Sequence, residues 1–320
     1  MAYTRLPVEW GIAVTAQDLD QRFLSFQDYI DWRAWRGLSD DEQAPPYAHP
    51  VDGWILRTLE STPVKHVLDK AIDSLISLQL GRLLAEGIPI DHKSFPDLFD
   101  VLSESSRTLG ISVPHALMGA FGDGFNAFTA GTDDYAFVFI TDALLQSFST
   151  AEAKFVIGHE CGHIASKHMV YHTLVEALAH SALALLGPLG QAVRRFAGVP
   201  LLAWSRRSEI TCDRAGLLCC GDIKTAERAL VRLVAGFADA GKVDIDDYLR
   251  RFKQMSDFHG ASAWQEMLRS HPMIPKRIEA LRLFARSELY YDLVGQSPPA
   301  DVDLLKQADL DRLTNHIVRP

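Results

Sequence analysis

Apolar positions along the chain fall into helical stripes over most of its length, with one β-rich interval in the middle. In residues 1–48, Phe23, Phe26, Tyr29, Trp32 and Trp35 recur at loose helical spacing, and the acidic, proline-bearing stretch Ser39–Pro46 reads as a loop or linker. Thr62-Pro63 is a helix start, with threonine at the cap and proline in the first turn. Val67, Leu68, Ala71, Leu75, Leu78 and Leu83 then form one stripe that runs to Gly87. A second helix is predicted from Phe95-Pro96 to Leu109-Gly110. Residues 111–141 change character and are rich in Val, Ile, Phe, Tyr and Gly. Tyr135–Thr141 predicts a strand, and Asn126–Thr129, set off by Gly124 and Gly131, a weaker one. Ser149-Thr-Ala-Glu152 is a capping box that launches the next helix. Further helical patterns cover Leu202–Cys220 and Thr225–Ala240. The pattern predicts a mainly helical α+β fold with a small sheet.

Composition narrows the class. The chain has 320 residues, 48 % apolar and 23 % charged, enough to bury a core without covalent staples. Its net charge of −9 and lack of a long basic run argue against nucleic acid as a partner. The four cysteines, Cys161, Cys212, Cys219 and Cys220, do not space as a disulfide framework, which favours a reducing, cytoplasmic compartment. The N-terminal ten residues carry no apolar signal region. The most apolar stretch, residues 174–204, is interrupted by Glu176, His180, Arg194, Arg195 and Gly187-Pro188. It reads as buried helix, with a short membrane-touching hairpin as the counter-reading.

The chemistry is concentrated in His159-Glu160-Cys161-Gly162-His163. Residues four apart share a helix face, so both imidazoles can serve one metal ion, while Glu160 reaches a water on that ion without being a ligand. A catalytic zinc site takes three protein ligands and keeps a position for water. Ser205-Arg-Arg-Ser-Glu209-Ile-Thr-Cys-Asp213 offers the third: Glu209 as ligand, and Asp213 one turn on to accept a ring N–H from a ligand histidine and fix its tautomer. The bland alternative is an ordinary charged helix. His271, before a helix opened by Pro275, has two readings: a donor to a developing oxyanion, or a surface histidine in a turn.

Together these motifs, followed by Ser-His271-Pro and Arg277, resemble the M48 metallopeptidases, the gluzincins that include the CAAX prenyl protease and a heat-shock protease of bacterial membranes. The likeness covers roughly residues 49–284, leaving 1–48 as an N-terminal extension or linker and 285–320 as a C-terminal extension. It implies a gluzincin or minigluzincin-like domain, with His159, His163 and Glu209 as ligands of one Zn2+ and Glu160 as catalytic base. It further implies that Asp213 and Arg277 support the ligands and that His271 assists in the cleft. Asn126, Ala127 and Phe128 match the edge strand along which an extended peptide lies. Cys212 stands where the family often has alanine, and Cys161-Gly162-His163 where it often has Leu-Gly-His; neither change touches a ligand. The expected activity is a zinc endopeptidase acting on peptide or protein substrates. The alternatives are a latent protease covered by a terminal segment, a non-catalytic zinc-binding interaction protein, and a membrane-associated enzyme using residues 174–204.

Overall fold

The computed structural model describes residues 45–50, 81, 83–121, 127–131, 136–169, 171, 175, 198–235, 240–256, 273–300 and 303–318. The expectations for residues 1–44, for most of the Thr62–Gly87 helix and for most of the 174–204 stretch lie outside them.

A four-stranded sheet is built from β1 (Ile88–Ile90), β2 (His115–Gly119), β3 (Ala127–Gly131) and β4 (Ala136–Thr141), in the order β1-β2-β4-β3. The β2–β4 pair is parallel and the other two are antiparallel. All six residues of β4 are buried. That explains its continuous apolar run, which carries no polar alternation because neither face meets water. Ala136, Val138 and Ile140 join the helical core. Phe139 lies in an aromatic cluster, stacked on Phe128 at 5.0 Å and edge-on to Phe121 at 5.1 Å. The strands near 126–129 and 135–141 occur where the pattern placed them. Strands β1 and β2 were not read from the sequence: β1 has three residues, and the run in β2 is too short to separate from helix by periodicity.

Helices among the described residues include α1 (Pro96–Leu109), α2 (Asp142–Ser147), α3 (Thr150–Ala165), α4 (Gly198–Cys220), α5 (Ile223–Ala235), α6 (Ile245–Ser256), α7 (Ile274–Ala285), α8 (Glu288–Val294) and α9 (Gln307–Val318). Helix α1 follows its predicted bounds, with proline in its first turn and Gly110 in the left-handed conformation closing it. The capping box on α3 is complete: Ser149 Oγ accepts from the Glu152 amide at 3.3 Å, and Glu152 Oε2 accepts from the Ser149 amide at 2.9 Å. Helix α3 lies in the middle of the helical layer, against α1, α4, α5 and the sheet. Phe155, Val156 and Ile157 point to different sides of it, and all are buried in the main core. Such side chains each contribute about 1.5–3 kcal/mol relative to exposure.

Helices α3 and α4 meet through small residues. A Cβ on Gly162 would stand 2.8 Å from Ala215 Cβ and 3.1 Å from Cys212 Cα. One on Gly158 would stand 2.6 Å from Cys219 Cβ. The two backbones therefore approach as closely as bare glycine permits. Helix α9 packs against α7 and α4 from a different side, where Val318, Ile210 and Ala280 form their own buried cluster. Arg214, fully buried, donates to the Tyr47 carbonyl at 3.1 Å and to Thr314 Oγ1 at 3.5 Å. Ile210 and Arg214 follow Glu209 and Asp213 by one position, so they project roughly 100° round the helix from them. The C-terminal helix is thus fastened to the flank of α4 rather than over its Glu209–Asp213 face.

Candidate metal centre

His159, Glu160 and His163 all lie on α3 and are buried. Glu209 and Asp213 lie on α4, each 1 % exposed. The close approach of the two helices turns both sets of side chains toward one point. His159 Nε2 is 3.6 Å from Glu209 Oε2, and His163 Nε2 is 3.5 Å from Glu209 Oε1. These separations exceed a good hydrogen bond. They match what a tetrahedral zinc ion imposes on its ligands, since bonds of about 2.0–2.2 Å put neighbouring donor atoms roughly 3.3–3.6 Å apart. The donor set, two imidazoles and a carboxylate, also suits zinc.

Behind the histidines the geometry is asymmetric. His159 Nδ1 donates to Asp213 Oδ1 at 3.0 Å. Asp213 in turn is gripped by Arg277 from α7, through Nη2 to Oδ1 at 2.6 Å and Nε to Oδ2 at 2.8 Å. Arg277 Nη1 also reaches Glu209 Oε2 at 3.1 Å. Two carboxylates and one guanidinium therefore share a dry corner. Burial opposes charge on Asp213, but the neighbouring Arg277 and the hydrogen bonds from Arg277 and His159 hold its carboxyl below the usual range. Burial likewise opposes charge on His159, and the Asp213 hydrogen bond and the Glu209 charge overcome it and raise its pKa. At His163 the Nδ1 atom meets His168 Nδ1 at 3.3 Å. Burial of His163 dominates over its Glu209 contact and lowers its pKa to about 3. A neutral imidazole is the form that binds a metal.

Glu160 is engaged from the sheet. Its Oε2 accepts a 2.5 Å hydrogen bond from Thr129 Oγ1 on β3. Thr129 was missed as an individual residue. Its signal was the inward register of Ala127, Thr129 and Gly131, which needed the strand pairing to be seen. Among the described residues β3 is an edge of the sheet. Ala127 is buried, and Phe128 turns to the aromatic cluster. Asn126 and His271 lie outside the described residues.

Cys212 is a competing donor: His159, His163 and Cys212 offer ligand atoms all within 4.8 Å of one another. Its sulfur, however, is 3.7 Å from His168 Nδ1, and that atom is 3.3 Å from His163 Nδ1. Cys212 thus approaches from the side where His163 carries Nδ1, whereas Nε2 faces Glu209. All four cysteines are free thiols. Burial pushes Cys219 up to about 12 and Cys220 to about 11, so neither is a ready nucleophile.

Residues 93–285 match the profile of peptidase family M48. The chain is 27 % identical to the plastoglobule-localized metallopeptidase 48 of Arabidopsis thaliana over 81 % of this chain and 78 % of that protein. It is 25 % identical to the protease HtpX of Xylella fastidiosa over 66 % of this chain and 83 % of that one. It is 29 % identical to the protease HtpX of Pseudomonas aeruginosa over 59 % and 72 % respectively. No solved structure matches. Among the described residues no helix is long and apolar enough to cross a membrane.

Proposed function

The chain belongs to peptidase family M48 and is a metalloprotease, and from that premise we propose that it is a zinc-dependent endopeptidase with Glu160 as general base. His159, His163 and Glu209 hold the ion in this reading. Zinc in such a site supplies Lewis acidity, which brings a bound water toward a pKa of about 7 and polarises a carbonyl. The chain's own residues do the rest. Glu160 takes a proton from the attacking water as the new C–O bond forms, and passes it to the departing amine nitrogen as the C–N bond breaks. Asp213 keeps the His159 proton on Nδ1, so that Nε2 stays a lone-pair donor. Arg277 fixes Asp213 and one oxygen of Glu209. His271 is assigned the oxyanion hydrogen bond. In this reading an extended peptide or protein substrate lies by β-addition along the segment of Asn126, Ala127 and Phe128, which asks little of its sequence.

The observation that carries this reading is the convergence of both Nε2 atoms on the Glu209 carboxylate while the Glu160 carboxylate is held separately by Thr129. The domain division at 1–48, 49–284 and 285–320 is kept as part of the proposal. So is a cytoplasmic location, supported by four free thiols; recovery solely in washed membranes would reverse it.

The test measures zinc content and cleavage of an unfolded protein by wild type, Glu160→Gln, Glu209→Ala and Cys212→Ala. Glu160→Gln is expected to keep its zinc and lose activity by about 10²–10⁴-fold. Glu209→Ala loses zinc, and Cys212→Ala keeps it. Equal cleavage by wild type and Glu160→Gln sinks the base assignment. Zinc loss in Cys212→Ala with retention in Glu209→Ala moves the third ligand to the cysteine.

A further inference from the structure

His163 needs something behind it that the sequence pattern did not provide. For Nε2 to offer a lone pair on the Glu209 side, its ring proton must sit on Nδ1, and that N–H must be accepted. For His159 the acceptor is Asp213. At His163 Nδ1 the chain places a second imidazole.

The placement comes from the end of α3. The helix stops at Ala165. Ser166 and Lys167 make a turn in which Lys167 adopts a left-handed backbone, φ 55°, a conformation that costs a non-glycine residue about 1–2 kcal/mol. The amides of Ser166 and Lys167 bond to the Gly162 and Ile164 carbonyls, and the His168 amide closes back on the His163 carbonyl at 3.0 Å. This reversal brings the fully buried His168 ring to 5.5 Å from the His163 ring. The two Nδ1 atoms come within 3.3 Å. The other surroundings hold the ring in that position. Trp204 of α4 packs edge-on against it at 5.2 Å and 90°, and Cys212 Sγ stands 3.7 Å from the same Nδ1.

Two Nδ1 atoms in contact can share only one proton. With the His163 proton on Nδ1, His168 must present a bare Nδ1 and carry its own proton on Nε2. We propose that His168 is a positioning residue for the metal site: an imidazole acceptor that fixes the tautomer and ring angle of His163, as Asp213 does for His159. This inference rests on the ligand role proposed above for His163. In that arrangement one histidine is backed by a carboxylate and the other by a second imidazole.

The test is zinc affinity by chelator competition on the full chain, with thermal unfolding in excess chelator as the folding control. Three variants separate an acceptor at the right point from a space-filling side chain. Asparagine carries its amide oxygen where histidine has Nδ1; glutamine carries it one atom farther, near Nε2; leucine has no acceptor. His168→Leu and His168→Gln are each expected to raise the zinc dissociation constant roughly 10–100-fold, the range for loss of such a hydrogen bond. His168→Asn is expected to stay within about threefold of wild type, an allowance that rests on its acceptor being retained. The inference is overturned if Leu binds as tightly as wild type, or if Asn and Gln bind alike. The Asn–Gln comparison decides the matter even where the Leu variant does not fold. A wild-type chain that binds zinc with all variants equal to it removes only the role of His168. A wild-type chain that binds none removes the zinc reading itself.

Discussion

The two glutamates nearest the histidines are held in opposite ways. Glu209 sits in a corner with Asp213 and Arg277, where one guanidinium on α7 reaches two carboxyl groups on α4. Glu160 is held by a hydroxyl from an edge strand. The first arrangement ties α4 to α7 through side-chain charges. The second joins the proposed base to the strand proposed to receive substrate, so an added peptide strand and the orientation of the base share a mechanical element. A ligand corner needs fixed distances, whereas a base must accept a proton in one place and release it in another.

The difference predicts unequal responses to substitution. Arg277→Met leaves Asp213 and Glu209 as facing buried carboxylates, and a loss of about 3–5 kcal/mol is expected in urea unfolding. Arg277→Lys should recover little, because a lysine lacks the fork that spans both Asp213 oxygens. Gly162→Ala attacks the same corner through packing. Its new methyl meets Ala215, so a loss of about 1–3 kcal/mol is expected, with weaker zinc binding measured alongside it. Pairing it with Ala215→Gly should restore part of both.

On the other side, Thr129→Val removes the hydroxyl with little change of shape. Its expected signature is kcat lower by about tenfold, the equivalent of ~1.4 kcal/mol, with zinc content unchanged and Thr129→Ser near wild type. An equal loss of zinc would show that the two corners are not separate. The smallest effect is expected at a distant control. Asp222 accepts from the Thr225 amide at 2.8 Å and from its hydroxyl at 2.6 Å, capping α5. The Thr225 hydroxyl chiefly depresses its pKa below the ordinary 3.8. A depressed folded-state pKa gives stability that is present above the unfolded value and lost as pH falls through the folded one. Asp222→Asn, which keeps a capping oxygen but cannot titrate, should make the acid limb below about pH 4 shallower and leave activity unchanged.

Much of the site was legible because helices repeat. The spacing of His159 and His163, and of Glu209 and Asp213, needs only 3.6 residues per turn to place each pair on one face, and the Ser149–Glu152 box marks where that helix begins. What remained hidden depended on tertiary register or on a break in the repeat. Thr129 reaches Glu160 only once β3 is aligned on β4. His168 lies five positions from His163, a spacing that a continuous helix would turn away; the left-handed Lys167 reverses it. The inner face of β4 was visible as an apolar run, but its burial on both faces required the aromatic cluster contributed by distant segments.

The contact of Gly158 and Gly162 with α4 also bears on ion size. Helices that already touch cannot move closer, and the His159–Asp213 hydrogen bond ties one to the other, so under the proposed ligand set the gap between the histidines and Glu209 would have little room to adjust. An ion needing bonds of 2.3–2.6 Å, as calcium does, would have to part the helices, whereas one satisfied at about 2.0–2.2 Å would not. If His159, His163 and Glu209 hold the ion as proposed, the absent side chains at these two positions would act as a gauge for ionic radius, set by atoms that never touch the ion.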